Sequence, residues 1–326
     1  MIKKPSIRLT HREYTIGWIC ALPKEAEAAS FMLDVEHLPL SNPRADTNAY
    51  WLGAIGDHNV AIACLPSGSY GNNSSATVAA RMISTFPNIK VGLMVGIGGG
   101  VPPNVRLGDV VVSQSMNGHP AVVQWDMGKT EEGGKFKRTG SLNNPPTAVM
   151  TALSKFRATS ISSRQKILDC LDGLKTRSDV PKTFLKSDSM KDPLSVTQGA
   201  EGNGQDLRED MQIHYGLIAS GNQVIKDTAT RDRLNADFNG NVLCVEMEAA
   251  GLMNEFPCLV IRGICDYADE HKNKVWQEYA AAVAAAYAKS LLSVLPVSEM
   301  DGLKSIKIEG KLVLQTVAAM SLTNLT

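Results

Sequence analysis

The chain has 326 residues, a mass of 35.1 kDa and 33 basic against 33 acidic side chains. Its 44% hydrophobic and 20% charged content can bury a large core, which excludes a chain disordered throughout and suits one large α/β domain or two modest ones. A formal net charge of zero argues against nucleic-acid or anionic-membrane binding by bulk electrostatics.

Residues 1–13 are polar and read as a leader. Residues 14–21, YTIGWICA, form an apolar, β-branched run that predicts a buried strand. Pro23 suits the first turn of a helix over residues 25–33, where its missing N–H would have no partner anyway. Two strands at 48–52 and 59–65 flank a Gly-Asp-His turn, and a Gly/Ser/Asn loop at 68–73 precedes a helix at 74–85. A strand at 90–95 runs into Gly96-Ile97-Gly98-Gly99-Gly100. That run reads as a tight turn, or as a place where a ligand approaches the backbone closely. Val-Pro-Pro follows it instead of a helix, so it is not a dinucleotide fingerprint.

Another strand is expected at 107–112. The middle is less regular, with helices at 147–157 and 163–174 and a polar loop at 178–205. Regular elements resume with a strand at 216–220, a helix at 226–236, and a strand at 242–245 ending at Glu246. A helix at 248–254 and a strand at 258–262, just before Cys265-Asp266, follow. An Ala-rich helix at 276–295 stops at Pro296. Residues 297–326 alternate apolar side chains around Gly310, which permits a hairpin of open role. The strand–helix–strand order predicts parallel α/β winding.

The six cysteines include no C-x-x-C pair and read as buried free thiols of a reducing compartment. The first residues lack the apolar segment of a secretory signal, and no apolar run is long enough to span a bilayer, so a soluble cytoplasmic protein is expected. The six histidines are scattered without metal-ligand spacing, and no G-x-S-x-G occurs. Trp18 and Trp125 can stack on a base, although core packing is the commoner fate of such residues.

Ligands of parallel α/β sheets bind beyond the carboxyl ends of the strands. Glu25, the pair Glu246 and Glu248, and Asp266 all fall at such ends. Any one of them reads as a helix cap; three carboxylate sites on one sheet point to a catalytic or binding centre.

Several segments together resemble the purine nucleoside phosphorylase/uridine phosphorylase superfamily. They are VEMEAA at 245–250, VIRGICDYAD at 260–269, GLIASG at 216–221 and RLGDVVVS at 106–113. The opening ICALPKEAE at 19–27 is most similar to the 5′-methylthioadenosine/S-adenosylhomocysteine nucleosidase branch. The wording of GLMVGIGGGVP and RTGSLNNPP is similar to the fungal version, found alone or as the first domain of NLR-like signalling proteins. The resemblance covers about residues 14–295 and implies a catalytic domain there, with 296–326 as a C-terminal extension of unknown role. It implies a three-layer α/β/α fold with a mixed, largely parallel sheet, and a homodimer.

The implied reaction is cleavage of the N-glycosidic bond of a purine nucleoside or nucleotide without a cofactor. Asp266 matches the acid at the purine N7, Glu248 the carboxylate on the ribose hydroxyls, and Met247 the side chain under the sugar. Glu246 and Arg262 match supporting positions. Val224 and Ile225 match the stretch whose backbone meets the base, with Asn222 nearby; Ile97 and Gly98 count among the substrate-binding positions. Glu25 matches the base that activates water. Oxocarbenium character develops on the sugar and negative charge on the base, so an acid at N7 and a carboxylate at the ribose suit the chemistry. Burial beside Tyr267 and Cys265 is expected to keep the acid protonated.

The bacterial-type phosphorylases place an arginine before the glycine turn and a serine within it, where this chain has Met94 and Ile97. A second arginine expected in the N-terminal loop is replaced by the acidic run around Glu25. A carboxylate repels phosphate but can deprotonate water, so hydrolysis is favoured over phosphorolysis, with Arg81 and Arg106 as the cations that keep the alternative open. The segment 115–213 should shape the 5′ side, and Lys129, Lys135, Lys137 and Arg138, though readable as a solvated face, keep adenosine 5′-phosphates in play. A non-catalytic nucleoside-sensing domain is the second alternative.

Overall fold

A computed structural model describes residues 7–194, 211–296 and 305–306 of the chain. In order it runs through β1 (Ile16–Cys20), α1 (Pro23–Phe31), β2 (Val35–Glu36), β3 (Tyr50–Ile55), β4 (His58–Cys64), α2 (Asn72–Thr85), β5 (Val91–Gly100) and β6 (Val110–Ser113). Next come β7 (Val122–Gln124), β8 (Gly128–Thr130), β9 (Phe136–Arg138), α3 (Thr147–Ala158) and α4 (Ser160–Lys175). The last elements are β10 (Ile213–Ser220), α5 (Thr228–Asp237), β11 (Val242–Glu246), β12 (Cys258–Asp266) and α6 (Gln277–Leu292).

The main sheet has the order β11-β10-β6-β12-β5-β1-β4-β3-β2, with β7 beside β10. It is mixed. The central pairs β1–β4, β1–β5, β5–β12 and β10–β11 are parallel, whereas β6–β12 and β3–β4 are antiparallel. β5 also pairs antiparallel with β11 through Gly99–Val245 and Gly100–Cys244, so β11, β10, β6, β12 and β5 close into a ring. The glycine run is therefore not a tight turn: it continues β5, serving β12 on one side and β11 on the other.

Helices cover both faces. α1, α3, α4 and α6 share one apolar cluster with β1, β5 and β12, and α2 covers the opposite face with Val78, Met82 and Phe86. The alanines of α6 let its backbone lie directly on β12. A Cβ at Gly263 would fall 1.9 Å from the Ala280 carbonyl oxygen, so only glycine fits there. Pro23 occupies the first turn of α1, and the Asp227 carboxylate caps α5 by accepting from Thr230 N at 2.7 Å.

The expected helix at 248–254 is a single 3₁₀ turn, Ala249–Gly251, followed by turns. β7, β8 and β9 appear in the stretch read as irregular, the last two as a separate two-stranded sheet. The possible hairpin at 297–326 lies outside the described residues apart from 305–306. All six cysteines are free, and Trp18 is fully buried. Among the described residues no helix is long and apolar enough to cross a membrane.

Candidate active site

The ends of β1, β5, β11 and β12 bring four charged side chains together. Glu25, in the first turn of α1, is 3% exposed. Its Oε2 accepts from the amides of Ala21 at 2.7 Å and Leu22 at 3.0 Å, and its Oε1 from Ile97 N at 2.8 Å. Burial pushes its pKa up, against the pull of Arg262 and these amides.

Arg262 is fully buried on β12, opposite Gly96 of β5. Its guanidinium donates to Glu246 Oε2, lies 3.6 Å from Glu248 Oε2 and reaches the Ile97 carbonyl at 3.3 Å. Burial opposes its charge, but Glu246, Glu248 and Glu25 together hold it above its ordinary value. Glu246 also accepts from the amides of Glu248 at 3.1 Å and Ala249 at 3.0 Å. It thereby ties the chain after β11 to Arg262, which is why that chain turns instead of starting a long helix.

Three carboxylates thus share one guanidinium. The consequence falls on Glu248: burial and the neighbouring charge of Glu246 raise its pKa to about 7, against Arg262. Its Oε1 faces Gly71 N at 3.4 Å, at the start of α2. Met247 stands between the two glutamates, half-buried.

Asp266 is the last residue of β12 and is 4% exposed. A register shift between Ile264 and Asp266 sets it opposite Gly99. Oδ1 accepts from Ala268 N at 2.9 Å; Oδ2 lies 3.1 Å from Cys265 Sγ and 3.0 Å from Lys272 Nζ. The Tyr267 hydroxyl, expected beside the acid, instead donates to Asp192 Oδ1 at 2.8 Å.

The base-side positions assemble differently. Ile225 is buried in one apolar cluster with Val245 and Ala268, while Val224 is 52% exposed. Asn222 donates to Asp126 Oδ2 from its backbone N at 2.7 Å, and its Oδ1 accepts from Asn72 N at 3.0 Å. Asn72 Oδ1 in turn accepts from Gly251 N at 3.1 Å. This polar chain links β7, the loop after β10 and the turn after Glu248. Trp125 packs on Gly221, with ring atoms 2.5 Å from where a Cβ would stand.

The fold therefore gathers Glu25, Ile97, Glu246, Glu248 and Arg262, with Met247 between the two glutamates in the chain and Gly98 against Arg262 and Cys265, next to Asp266. The cations weighed for phosphate stand elsewhere. Arg81 donates to Thr47 Oγ1 at 2.8 Å, and Arg106 Nε lies 2.9 Å from Asp192. Lys129 and Lys137 pair with Glu131 at 3.1 and 3.5 Å on the exposed β8–β9 hairpin, and Arg138 stacks over Phe238 at 4.0 Å. Lys272, Asp126 and Asn72 enter the site without a sequence signal, since each reads as an ordinary loop residue. Among the described residues no three His, Cys, Asp or Glu side chains converge as a metal site.

Residues 15–295 match the phosphorylase superfamily. The chain belongs to that superfamily. Within it, the chain is 48% identical over 310 residues to a nucleotide-binding leucine-rich repeat (NLR)-like protein of Hyaloscypha variabilis, covering 90% of this chain and 30% of that one. It is 27% identical to a 5′-methylthioadenosine/S-adenosylhomocysteine nucleosidase of Mycobacterium bovis, over 87% of this chain and 97% of the other. It is 26% identical to the ATP nucleosidase Cap17 of Escherichia coli, over 82% and 48%. The chain thus spans less than a third of the NLR-like relative and about half of the ATP nucleosidase. The superfamily fold is shared with the Neisseria meningitidis 5′-methylthioadenosine/S-adenosylhomocysteine nucleosidase, at a TM-score of 0.59 and 19% identity over 86% of this chain and 99% of the other.

Proposed function

We propose that the chain is a purine nucleosidase that hydrolyses the N-glycosidic bond of an adenine nucleoside or nucleotide. The observation that carries this reading is the setting of Glu25. A buried carboxylate with a raised pKa, held by the amides of Ala21, Leu22 and Ile97, occupies the place where a phosphorylase needs a cation. A raised pKa makes such a group a stronger base toward water than an ordinary carboxylate. Arg262, the guanidinium nearest to it, is already committed to Glu246 and Glu248.

In this reading Glu25 deprotonates a water that attacks C1′ of the ribose. Glu248 holds the ribose hydroxyls, Met247 lies under the sugar, and Glu246 with Arg262 keeps Glu248 in place. In its ionised form the Glu248 carboxylate favours the oxocarbenium character that grows at C1′. Asp266 delivers a proton to N7, and the backbone at Val224 and Ile225 meets the base. The names of the relatives, which act on methylthioadenosine, S-adenosylhomocysteine and ATP, support an adenine compound. The catalytic unit is taken as 14–295, acting as a homodimer.

Chromatography of adenosine, inosine, 5′-methylthioadenosine and ATP after incubation, with and without phosphate, tests this. Free adenine and free sugar in phosphate-free buffer are expected, and the fastest substrate defines the 5′ group. Base release only with phosphate, together with ribose 1-phosphate, would restore the phosphorylase.

A further inference from the structure

In the reading above the purine meets the backbone at Val224 and Ile225, and the ribose meets Glu248. These two grips stand beyond the ends of different strands, β10 and β11. The strands pair in parallel as far as Ser220 and Glu246, and Gly221 N donates to the Glu246 carbonyl at 3.2 Å. Past that point the first residue of α2 carries the connection. Asn72 N donates to Asn222 Oδ1 at 3.0 Å, and Asn72 Oδ1 accepts from Gly251 N at 3.1 Å. One residue thus ties the loop that meets the base to the turn that carries Glu248.

Both contacts rest on close approaches that only glycine allows. Gly71 precedes α2 at φ +94°, and a Cβ there would stand 2.9 Å from Asn222 Oδ1. A Cβ at Gly251 would stand 2.0 Å from the Asn72 carbonyl oxygen. Further along α2, Ser75 Oγ donates to the Glu248 carbonyl at 2.7 Å. On the other side Asp126 Oδ2 accepts from Asn222 N at 2.7 Å and from Asn222 Nδ2 at 3.2 Å, so the Asn222 carboxamide is fixed at both of its ends. Asn72 is 6% exposed, yet its Nδ2 has no hydrogen-bond partner among the described residues. An unpaired buried donor weakens a fold. What its Oδ1 holds, rather than stability, therefore accounts for the side chain at position 72.

We propose that Asn72 and Asn222 form a clasp that sets the spacing between the base grip and the sugar grip. This rests on the nucleosidase reading above. The C1′–N9 bond lengthens as cleavage proceeds, so base and sugar move apart between the two grips. Grips held at a fixed separation can favour the stretched bond over the intact one, which raises kcat. Grips free to shift relative to each other follow the substrate and lose that preference. Asn72 touches no substrate atom; it acts through the turn of Glu248 and the loop of Asn222, as a positioning residue.

The test compares wild type with Asn72→Ala, Asn222→Ala and the double variant on the adenine compound that wild type cleaves fastest, with free adenine added as a product inhibitor. Misplacing a reacting group by about 1 Å costs on the order of 100-fold, so kcat falls about 10–100-fold in each single variant. Free adenine engages the base grip alone, so its inhibition constant stays at the wild-type value. The two substitutions break one connection, so the double variant is no slower than the slower single variant. Asn222 is exposed, so Asn222→Ala keeps the fold and decides the matter even where Asn72→Ala does not fold. Wild-type kcat in Asn222→Ala, penalties that multiply in the double variant, or adenine inhibition weakened in step with turnover overturns the proposal. A wild-type chain that releases no base from any adenine compound instead sinks the nucleosidase reading itself, and the clasp with it.

Discussion

Glu25 and Arg262 face each other across the backbone of Gly96. A Cβ on that residue would stand 2.4 Å from Glu25 Oε1 and 2.7 Å from an Arg262 guanidinium nitrogen. The carboxylate and the guanidinium are both buried and tied to partners on other strands, so neither can retreat without breaking charged hydrogen bonds. Gly96→Ala is therefore expected to disrupt the site while leaving the fold. A displacement of catalytic groups by an ångström costs on the order of 100-fold in rate, and overpacking costs about 1–3 kcal/mol of stability. Steady-state kinetics beside thermal melting checks both; a variant with wild-type kcat would contradict this packing.

Glu25→Gln separates the base from the scaffold. The amide matches the carboxylate in shape but turns one acceptor oxygen into a donor facing a backbone N–H, a loss of about 1–3 kcal/mol. The fold should therefore persist at reduced stability while kcat falls about 10²–10⁴-fold. In the unmodified chain, burial raises the Glu25 pKa. A general base works when deprotonated, so kcat/KM should rise with pH along a limb centred above the ordinary carboxylate range. That limb should disappear in Glu25→Gln. A limb that persists unchanged would assign the titration to another group.

The acidic positions were legible because each follows an apolar run that could only be a buried strand, and strand ends are where sites form. Glu246 and Glu248 show why the local structure was not. Glu246 reads as a strand end, and Glu248, before three small residues, as a helix start. In the fold the amides of Glu248 and Ala249 bond to the Glu246 carboxylate, and the chain turns instead. The ring closure at Gly99 and Gly100 was hidden for a different reason, since glycines carry no side-chain pattern that distinguishes a strand from a turn. Lys272 was invisible because a lysine in a polar loop is ordinarily solvated. Its placement depends on the positive φ of Ala268, a residue type that gives no hint of it.

Asp192 joins the middle segment to the loop behind the acid. It takes the Tyr267 hydroxyl at 2.8 Å and Arg106 Nε at 2.9 Å, with both charged side chains about 10% exposed. Burial raises the Tyr267 pKa, so its hydroxyl stays a donor at working pH. Asp192→Ala removes an acceptor from two largely buried donors and should cost about 2–3 kcal/mol. Melting temperature reads this directly. Asp192→Asn, which keeps an acceptor for Tyr267, should recover part of the loss; equal losses in the two variants would place the energy in the Arg106 pair alone.

Glu248 should make the protein's stability depend on pH in an unusual direction. Its folded pKa is raised from the usual 4.5 to about 7, mainly by burial and by Glu246. The native state thus holds a proton that the unfolded chain releases. The associated stability is fully present below about pH 4.5 and is lost as pH rises through about 7. At roughly 1.4 kcal/mol per pKa unit the swing is on the order of 3 kcal/mol. Glu248→Gln cannot titrate, so the difference in melting temperature between pH 5 and pH 8 should shrink relative to wild type. Burial raises the Glu25 pKa as well, a dependence of the same sign, so part of it will survive the single substitution. A wild-type protein whose stability instead rises across this range, with Glu248→Gln parallel to it, would show that Glu248 is ionised in the resting site and that Arg262 compensates both of its neighbours on β11 and beyond.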